Sequence, residues 1–319
     1  MWKSSVPTLS DKKAQKNMAQ TVHKAVIPAA GFGTRMLPFT KAVPKELIPL
    51  VDKPVIQYVV EEAIASGLDE ILLILSSGKE AVLKHFQAAP ELETRLKETG
   101  KVELLTQITS IGKGAKISCV YQEELDGLGG AVKLAEEFCA GEYFALLLGD
   151  TVLDSSNGIP VTKQLIDAYH AVNTSVIAVE QLPLNNISSY GNVGGSWKSE
   201  NILQINAMVE KPAETEVLSD LAVASRYLLS PDIFPLLRQT PRGKGNELQL
   251  TDAIKQLIPS GALHGCRIDG KRYDLGSKAG FLAANIEFAL RDAGLSSAIG
   301  KKLAAANCNF AASISKMKE

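Results

Sequence analysis

Short apolar runs alternate with stretches of helical periodicity along the first half of the chain. Strand-like runs occur at residues 24–30 (KAVIPAA), 71–75 (ILLIL), 117–121 (ISCVY) and 143–148 (YFALLL). Short apolar runs of this kind are typical of strands buried on both faces. Helical patterns between the runs predict alternation of β and α, and therefore an α/β fold with helices on both faces of a mainly parallel sheet. Because ligands of such sheets gather beyond the carboxyl ends of the strands, the loops after Ala30, Tyr121 and Leu148 are expected to form a site.

The second half of the chain has a more mixed pattern. Strands are predicted at residues 174–180, 205–210 and 221–229, with a last strand within 262–268. A glycine-rich stretch at 190–196 (YGNVGGS) separates the first two of these strands, and a helix is predicted to begin near Thr251. The sheet is therefore expected to be mixed, although mainly parallel.

The two ends of the chain differ from its centre. Residues 1–22 are polar and lack the apolar segment of a signal peptide, which predicts a flexible N-terminal extension. Residues 23–293 are expected to form the main domain, and residues 294–319 a C-terminal helical tail. Helices after Lys278 could pack between subunits, so we expect a homo-oligomer, either a dimer or a tetramer.

Composition argues against several classes of protein. The chain has 34 basic and 35 acidic residues, a balance that does not favour binding to nucleic acid or to a membrane surface. No apolar run approaches the roughly 18 residues that a membrane span needs. The four cysteines are widely spaced and form no C-x-x-C pair, as expected of reduced thiols in the cytoplasm. An anionic substrate must therefore be held by local positive groups.

A glycine turn directly after the first strand is the strongest local signal of chemistry. It reads Gly31-Phe-Gly-Thr-Arg35 and is followed by Lys45. Glycines let the backbone approach a phosphate closely, while an arginine and a lysine supply charge to a polyphosphate. Taken alone, the pattern equally fits an ordinary turn beside two surface cations. It is not a dinucleotide fingerprint, because Met36 replaces the third glycine, and it lacks the G-K-[ST] of a P-loop.

The glycine turn opens a series of motifs that extends over nearly the whole chain. They are AAGFGTRMLPFTKAVPKELIPLVDKPVIQYVV (29–60), YQEELDGLGGAV (121–132), LLLGDTVL (146–153), YGNVGG (190–195), VEKP (209–212), RYLLSPDIFPLL (226–237), NELQLTDAI (246–254) and RYDLGSKAGFLAANIEFAL (272–290). In content, order and spacing they resemble the sugar-nucleotide pyrophosphorylases, in particular the bacterial UTP–glucose-1-phosphate uridylyltransferases. The resemblance implies a nucleotide-diphospho-sugar transferase fold, which is a Rossmann-like three-layer α/β/α sandwich, with a catalytic domain at 23–293.

The resemblance also implies a reaction: a uridylyl group passes from UTP to glucose 1-phosphate, releasing pyrophosphate, with Mg²⁺ as the cofactor. The positions that match nucleotide-binding residues of the family are Ala30, Gly31, Gly33, Gln122 and Gly127. A glutamine offers both a donor and an acceptor, as the edge of uracil requires. Taken alone, Gln122 could equally be an ordinary residue at the end of a strand.

Further positions match the sugar, metal and catalytic residues of the family. Tyr190, Gly191, Glu210 and Lys211 match the sugar-phosphate site; Asp150 and Asp274 match the metal ligands; Arg35, Lys45 and Lys211 match the catalytic cations. Carboxylates suit Mg²⁺ and sugar hydroxyls, while ammonium groups suit phosphate oxygens. Without the resemblance, the two aspartates would be interpreted as turn residues and the Glu-Lys pair as a solvated strand end.

No nucleophile is required by this reaction, and the pattern offers none. There is no G-x-S-x-G motif and no Cys/His cluster, and the four histidines are scattered. We therefore expect direct in-line attack by the sugar phosphate on the α-phosphorus, with positioning and charge neutralisation as the sources of catalysis.

Three departures from the family pattern leave alternatives open. Gly130 stands where the family usually has His, Asp220 and Ser225 replace the usual Asn and Gly, and the stretch at 192–196 differs. Gly130 is expected on the nucleotide side and the others near the sugar. The alternatives are a transferase for another hexose 1-phosphate or for dTTP, and a weakly active regulatory paralogue that binds sugar nucleotides. The missing third glycine disfavours a nicotinamide oxidoreductase, and the lack of a D-x-D motif at Asp150 disfavours a glycosyltransferase.

Overall fold

The computed structural model describes residues 20–304, so the predicted extension at 1–22 and the end of the predicted tail at 294–319 lie largely outside the described residues. The strands are β1 (Lys24–Pro28), β2 (Pro49–Leu50), β3 (Lys53–Pro54), β4 (Glu70–Leu75), β5 (Lys116–Tyr121), β6 (Phe144–Leu147), β7 (Thr151–Ser155), β8 (Ser175–Gln181), β9 (Gly191–Trp197), β10 (Ile202–Glu210), β11 (Leu221–Leu229), β12 (Leu263–Arg267) and β13 (Gly270–Asp274). The helices are α1 (Val55–Ala65), α2 (Glu80–Lys84), α3 (Pro90–Glu98), α4 (Val102–Thr109), α5 (Leu128–Lys133), α6 (Glu136–Cys139), α7 (Val161–Val172), α8 (Ile233–Gln239), α9 (Leu250–Lys255) and α10 (Lys278–Arg291). Residues 296–304 are also helical.

Nine of these strands form one mixed sheet in the order β5–β4–β1–β6–β11–β8–β12–β10–β9. β1 pairs in parallel with β4 and β6, and β4 pairs in parallel with β5. β11 is antiparallel to both β6 and β8, while β12 is parallel to β8. The predicted α/β fold with a mixed sheet is confirmed, and its uninterrupted parallel part is built by the first half of the chain.

Side chains of the central strands alternate between two hydrophobic cores, one on each face of the sheet. On β1, Val26 packs into one core and Ala25 and Ile27 pack into the other. The first core is closed by α5, α8 and α9, and the second by α1 and α7. The apolar run of β1 is therefore explained by burial on both faces, and the layers form an α/β/α sandwich.

The glycine-rich stretch at 190–196 is a strand rather than a separator between strands. β9 pairs with β10, and the register shifts between Ile205 and Ala207. A Cβ atom built on Gly195 would lie 2.0 Å from the carbonyl oxygen of Gln204. Glycine at this position thus permits a close approach of the two backbones that any side chain would prevent.

A second, two-stranded sheet lies beside the main one and was not predicted from the sequence. It is formed by β7 and β13, whose register pairs Thr151 with Asp274 and Val152 with Tyr273. β7 begins directly after Asp150, so this small sheet brings residues from the middle and the end of the chain together. None of the described helices combines the length and apolar character needed to cross a membrane.

A buried arginine joins the small sheet to the main one. The Arg226 guanidinium, on β11, donates to the Glu62 carboxylate on α1 at 2.7 Å and to the carbonyl oxygen of Thr151 at 2.9 Å. The same carboxylate accepts hydrogen bonds from the backbone N–H and hydroxyl of Thr162, at the start of α7. A charge pair that is satisfied in this way connects four elements (β11, α1, β7 and α7), and removal of the arginine would leave a buried carboxylate unpaired.

We therefore expect Arg226→Met to lower the free energy of unfolding by about 3–5 kcal/mol, because Glu62 would stay buried without its cation. Lys271→Met is the matched control: Lys271 and Glu287 also lie 2.7 Å apart, but both side chains are exposed. An exposed pair of this kind contributes at most about 1 kcal/mol. Urea unfolding of both variants tests the difference, and equal losses would contradict the structural role of Arg226.

Candidate active site

The loops that follow β1, β5 and β6 meet at one cleft of about 510 Å³. Residues from all three loops line it: Ala30 and Gly31 after β1, Gln122 after β5, and Asp150 after β6. This is the edge of the sheet where the carboxyl ends of parallel strands converge. The structure thus brings together residues that lie far apart in sequence.

The glycine loop is held in place from behind by a buried lysine. Lys79 Nζ donates to the carbonyl oxygens of Ala29 (2.7 Å) and Gly31 (2.6 Å), and Ser76 Oγ donates to that of Ala30 (2.7 Å). In a trans peptide the N–H points opposite to the carbonyl. With three successive carbonyls turned towards Ser76 and Lys79, the N–H groups of residues 30–32 point away from these two side chains, in the loop that lines the cleft. Such an array of N–H groups suits a phosphate.

The same lysine is paired with a buried carboxylate next to Lys45. Lys79 Nζ lies 2.9 and 2.8 Å from the two oxygens of Glu46. Burial lowers the pKa of Lys79 although Glu46 opposes it, and burial raises the pKa of Glu46 against the attraction of Lys79 and Lys45. Burial of either charge alone would therefore cost free energy, and the opposite charge of the partner offsets part of that cost. The pair connects the glycine loop to the segment that carries Lys45.

Lys45 and Asp150 form an ion pair at the floor of the cleft. Lys45 Nζ donates to Asp150 Oδ2 at 2.6 Å. Burial lowers the pKa of Lys45, but Asp150 and Glu46 outweigh it and hold this pKa above its ordinary value. Burial likewise raises the pKa of Asp150, but Lys45 and Arg35 bring it below its ordinary value. Both side chains are consequently charged at neutral pH.

Asp274 lies beside Asp150 because of the small sheet. Its partner in the β7–β13 ladder is Thr151, the residue after Asp150, and its Oδ1 accepts from the N–H of Gly276 at 2.9 Å. Arg35 closes the same corner: a Cβ built on Gly276 would lie 2.6 Å from Arg35 Nη2. Lys45 and Asp150 thus line the cleft, whereas Arg35 and Asp274 meet at Gly276, in the segment that the β7–β13 ladder brings to the residue after Asp150.

Two neighbouring carboxylates fit a magnesium site that is completed by the substrate. Mg²⁺ is usually held by one or two carboxylates together with waters and substrate phosphates. Within residues 20–304, no group of three or more His, Cys, Asp and Glu side chains could hold a metal by itself. Asp150 and Asp274 would therefore need phosphate oxygens to complete the coordination.

A smaller cavity of about 140 Å³ adjoins the cleft, and both are lined by Leu128 and Leu148. Tyr190, Gly191 and Glu210 line this second cavity. Glu210 Oε2 accepts a hydrogen bond from the hydroxyl of Thr251 at 2.8 Å, which leaves its other oxygen for a ligand.

Lys211 follows Glu210 but does not line either cavity. Its backbone is left-handed, with φ of 45°, and its N–H donates to the carbonyl oxygen of Tyr190 at 3.1 Å. The side chain is exposed. The structure therefore holds the Lys211 backbone beside Tyr190, whereas its ammonium group stays in solvent at the rim of the site.

Of the single residues that depart from the family pattern, Ser225 and Gly130 lie at or next to these cavities and Asp220 does not. Ser225 lines the smaller cavity, with φ of 59°. This is a conformation that glycine adopts without strain, which accounts for the usual glycine of the family. Gly130 lies in α5, next to the larger cleft. Asp220 was expected near the sugar but does not line the cavity, since it precedes β11 and accepts a hydrogen bond from Gln181.

Comparison with known proteins agrees with this geometry. The model of the nucleotidyl transferase family matches residues 24–290. The chain belongs to the nucleotidyl transferase family.

Similar proteins match most of the length of this chain. UTP–glucose-1-phosphate uridylyltransferase YngB of Bacillus subtilis is 44% identical over 273 residues, covering 86% of this chain and 91% of the relative. The UTP–glucose-1-phosphate uridylyltransferase of Staphylococcus epidermidis is 42% identical over 271 residues, covering 85% and 93%.

Solved structures from the family have the same fold. A UTP-bound UGPase from Acinetobacter baumannii superposes with a TM-score of 0.83 at 34% identity, covering 89% of this chain and 99% of that one. A UDP-glucose pyrophosphorylase complexed with UDP-glucose has a TM-score of 0.78 at 36% identity, covering 85% and 100%. The nucleotide-diphospho-sugar transferase fold expected from the sequence is confirmed.

Sequence reasoning missed three charged residues of this nucleotidyl transferase site. Glu46 and Lys79 hold the glycine loop, and Arg272 stacks on the ring of Tyr190, 3.7 Å from its centroid, while it pairs with Glu180. Arg272 lies two residues before Asp274, and side chains two apart in a strand share a face. The sequence could therefore have indicated Arg272 as a site residue. The pairing of Glu46 with Lys79 depends on the fold, because 33 residues separate them.

Two glycines with nearly the same positive φ allow the glycine loop to be tested. Gly33 has φ of 67° and Gly100 has φ of 68°, but a Cβ on Gly33 would lie 3.0 Å from Lys45 Cβ, whereas one on Gly100 would meet nothing within 4 Å. Gly33→Ala and Gly100→Ala should both cost about 1–2 kcal/mol of stability. Only Gly33→Ala is expected to weaken the binding of a nucleoside triphosphate, as measured by calorimetry. Equal effects of the two variants on binding would refute the placement of the loop.

Proposed function

We propose that this chain transfers a uridylyl group from UTP to glucose 1-phosphate, giving UDP-glucose and pyrophosphate, with Mg²⁺ as its cofactor. The observation that carries the proposal is the cleft beside the glycine loop, which is lined by Lys45 and Asp150 and adjoins a smaller cavity. A cleft with a glycine loop suits the triphosphate, and a smaller cavity with Glu210 suits a sugar. Relatives over 40% identical carry the name of this activity.

The reaction requires one oxygen of the sugar phosphate to attack the α-phosphorus of UTP. A new P–O bond forms while the bond from the α-phosphorus to the bridging oxygen breaks, and pyrophosphate leaves with that electron pair. N–H groups of the glycine loop, together with Arg35 and Lys45, would orient the triphosphate and compensate the charge that moves onto pyrophosphate. Asp150 and Asp274 would hold Mg²⁺, which neutralises phosphate oxygens when it is bound.

The two ends of the substrate pair would be recognised by different residues. Gln122 and Gly127 line the far side of the cleft and would contact the uracil. Tyr190, Gly191 and Glu210 would contact the glucose, with Lys211 reaching its phosphate from the rim. Assembly as a homo-oligomer, a cytoplasmic location and the domain limits at residues 23 and 293 stay predictions.

The proposed reaction can be tested by measuring pyrophosphate release with UTP, dTTP, CTP, ATP and GTP, each against several hexose 1-phosphates. We expect UTP with glucose 1-phosphate to dominate, and chelation of Mg²⁺ to abolish turnover because the phosphates would lose their counter-charge. Preference for a different pair would refute the assigned substrates. Absence of turnover in folded protein that still binds UDP-sugars would favour a regulatory paralogue.

Lys211→Ala should lower turnover by about 100-fold or more, as expected when a charge that stabilises a transition state is removed. Lys198→Ala is the matched control: Lys198 is also exposed and directly follows a strand of the same sheet, but its backbone N–H donates to Ile202 and not to Tyr190, which lines the smaller cavity. Steady-state kinetics with both variants measures the effect. Undiminished turnover in folded Lys211→Ala would exclude this lysine from the reaction.

A further inference from the structure

The departure at Gly130 is explained by its neighbour Asp126. A Cβ atom built on Gly130 would lie 1.7 Å from Asp126 Oδ1 and 2.3 Å from Asp126 Cγ. The carboxylate thus occupies the space that any side chain at position 130 would need. Asp126 and Gly130 are a matched pair: the carboxylate can lie over the first turn of α5 only because position 130 is glycine.

The Asp126 carboxylate determines how the Gln122 amide is oriented. Gln122 Nε2 lies 3.0 Å from Asp126 Oδ1 and 3.3 Å from the carbonyl oxygen of Gly127. A carboxylate and a backbone carbonyl can only accept hydrogen bonds, so the NH₂ of the amide must face them. Gln122 is buried and lines the cleft, and its Oε1 is the atom of the amide that remains for a nucleobase.

Asp126 is itself held from two sides. Its carbonyl oxygen accepts from the N–H of Leu248 at 2.6 Å, and its Oδ2 lies 3.5 Å from Arg242 Nη2. Gly127, the next residue, has φ of 99°, and a Cβ there would lie 2.8 Å from Glu247 Cβ. The segment at 242–248 therefore packs against the loop that carries Asp126 and fixes its backbone, while Arg242 contacts the carboxylate.

We propose that Asp126 is a positioning residue for base selection, because it prevents the Gln122 amide from flipping and keeps Oε1 turned towards the base. The proposal rests on the proposed function, since it assumes that Gln122 contacts the pyrimidine. Uracil and thymine carry a proton on N3 and can donate it to Oε1, whereas N3 of cytosine is an acceptor and would face a second acceptor. A flipped amide would offer cytosine a donor instead. Asp126 thus selects for bases with an N3 proton.

The test is the affinity for UTP, dTTP and CTP, measured by calorimetry so that it does not depend on turnover. In Asp126→Ala we expect the preference for UTP over CTP to fall about tenfold, the order of one hydrogen bond and its orientation. UTP and dTTP should weaken together, while CTP should not weaken. A purely structural role of Asp126 would weaken all three alike, and either that result or an unchanged preference would overturn the proposal.

The preference for UTP over CTP in Gly130→Ala is a second, independent test. In the natural background the new methyl group displaces the Asp126 carboxylate, so the preference for UTP should fall as it does in Asp126→Ala. In the Asp126→Ala background the same substitution has no carboxylate to displace and should change the preference by less than twofold. Such non-additivity is the mark of coupled residues. Additive effects would overturn the proposal.

Asp126→Asn covers the case in which the alanine variant does not fold. It keeps the volume of the side chain but can offer Gln122 either a donor or an acceptor, so the preference should fall while stability is retained. A natural chain that binds no pyrimidine nucleotide, or prefers CTP, would instead refute the proposed function before any variant is compared. A natural preference for UTP that all variants retain would refute the role of Asp126 alone.

Discussion

The buried pair between Lys79 and Glu46 is the interaction on which the rest of the site depends. The Lys79 ammonium group donates hydrogen bonds to two carbonyl oxygens of the glycine loop, and the Ser76 hydroxyl donates to the carbonyl oxygen between them. Without these partners the carbonyls would be free to turn into the cleft, where they would repel a phosphate. An ion pair removed from water contributes little net stability, and here it serves to orient backbone dipoles. Glu46 also links this arrangement to the adjacent Lys45, which reaches Asp150.

A second constraint comes from the small β7–β13 sheet. It returns the chain at residues 270–274 to the loop after β6, so that Asp274 pairs with Thr151, the residue after Asp150. Arg226 fixes this sheet to α1 through Glu62 and to β7 through the carbonyl of Thr151. The two carboxylates that we propose as Mg²⁺ ligands therefore depend on a charge network whose members, Arg226 and Glu62, do not line the cleft.

The departures from the family pattern have different physical meanings. At position 130, glycine makes room for the carboxylate of Asp126, which occupies the space that a side chain there would need. At position 225, serine replaces a residue that the backbone favours as glycine, because φ is 59° there. Gly130 leaves Asp126 free to accept a hydrogen bond from Gln122, whereas Ser225 retains backbone strain and adds a hydroxyl to the smaller cavity.

The sequence by itself determined the class of fold, the positions of the central strands and the reaction expected from the family motifs. Burial on both faces leaves an unmistakable run of apolar residues, and the glycine turn after the first such run is the segment that we propose to bind phosphate. Only the tertiary structure decided which distant residues meet: Lys79 with Glu46, Asp126 with Gly130, and β7 with β13. These contacts have no periodicity or spacing of their own, because they arise where separate elements pack. Strand β9 was missed because its glycines carry no side chains that would form a strand-like pattern.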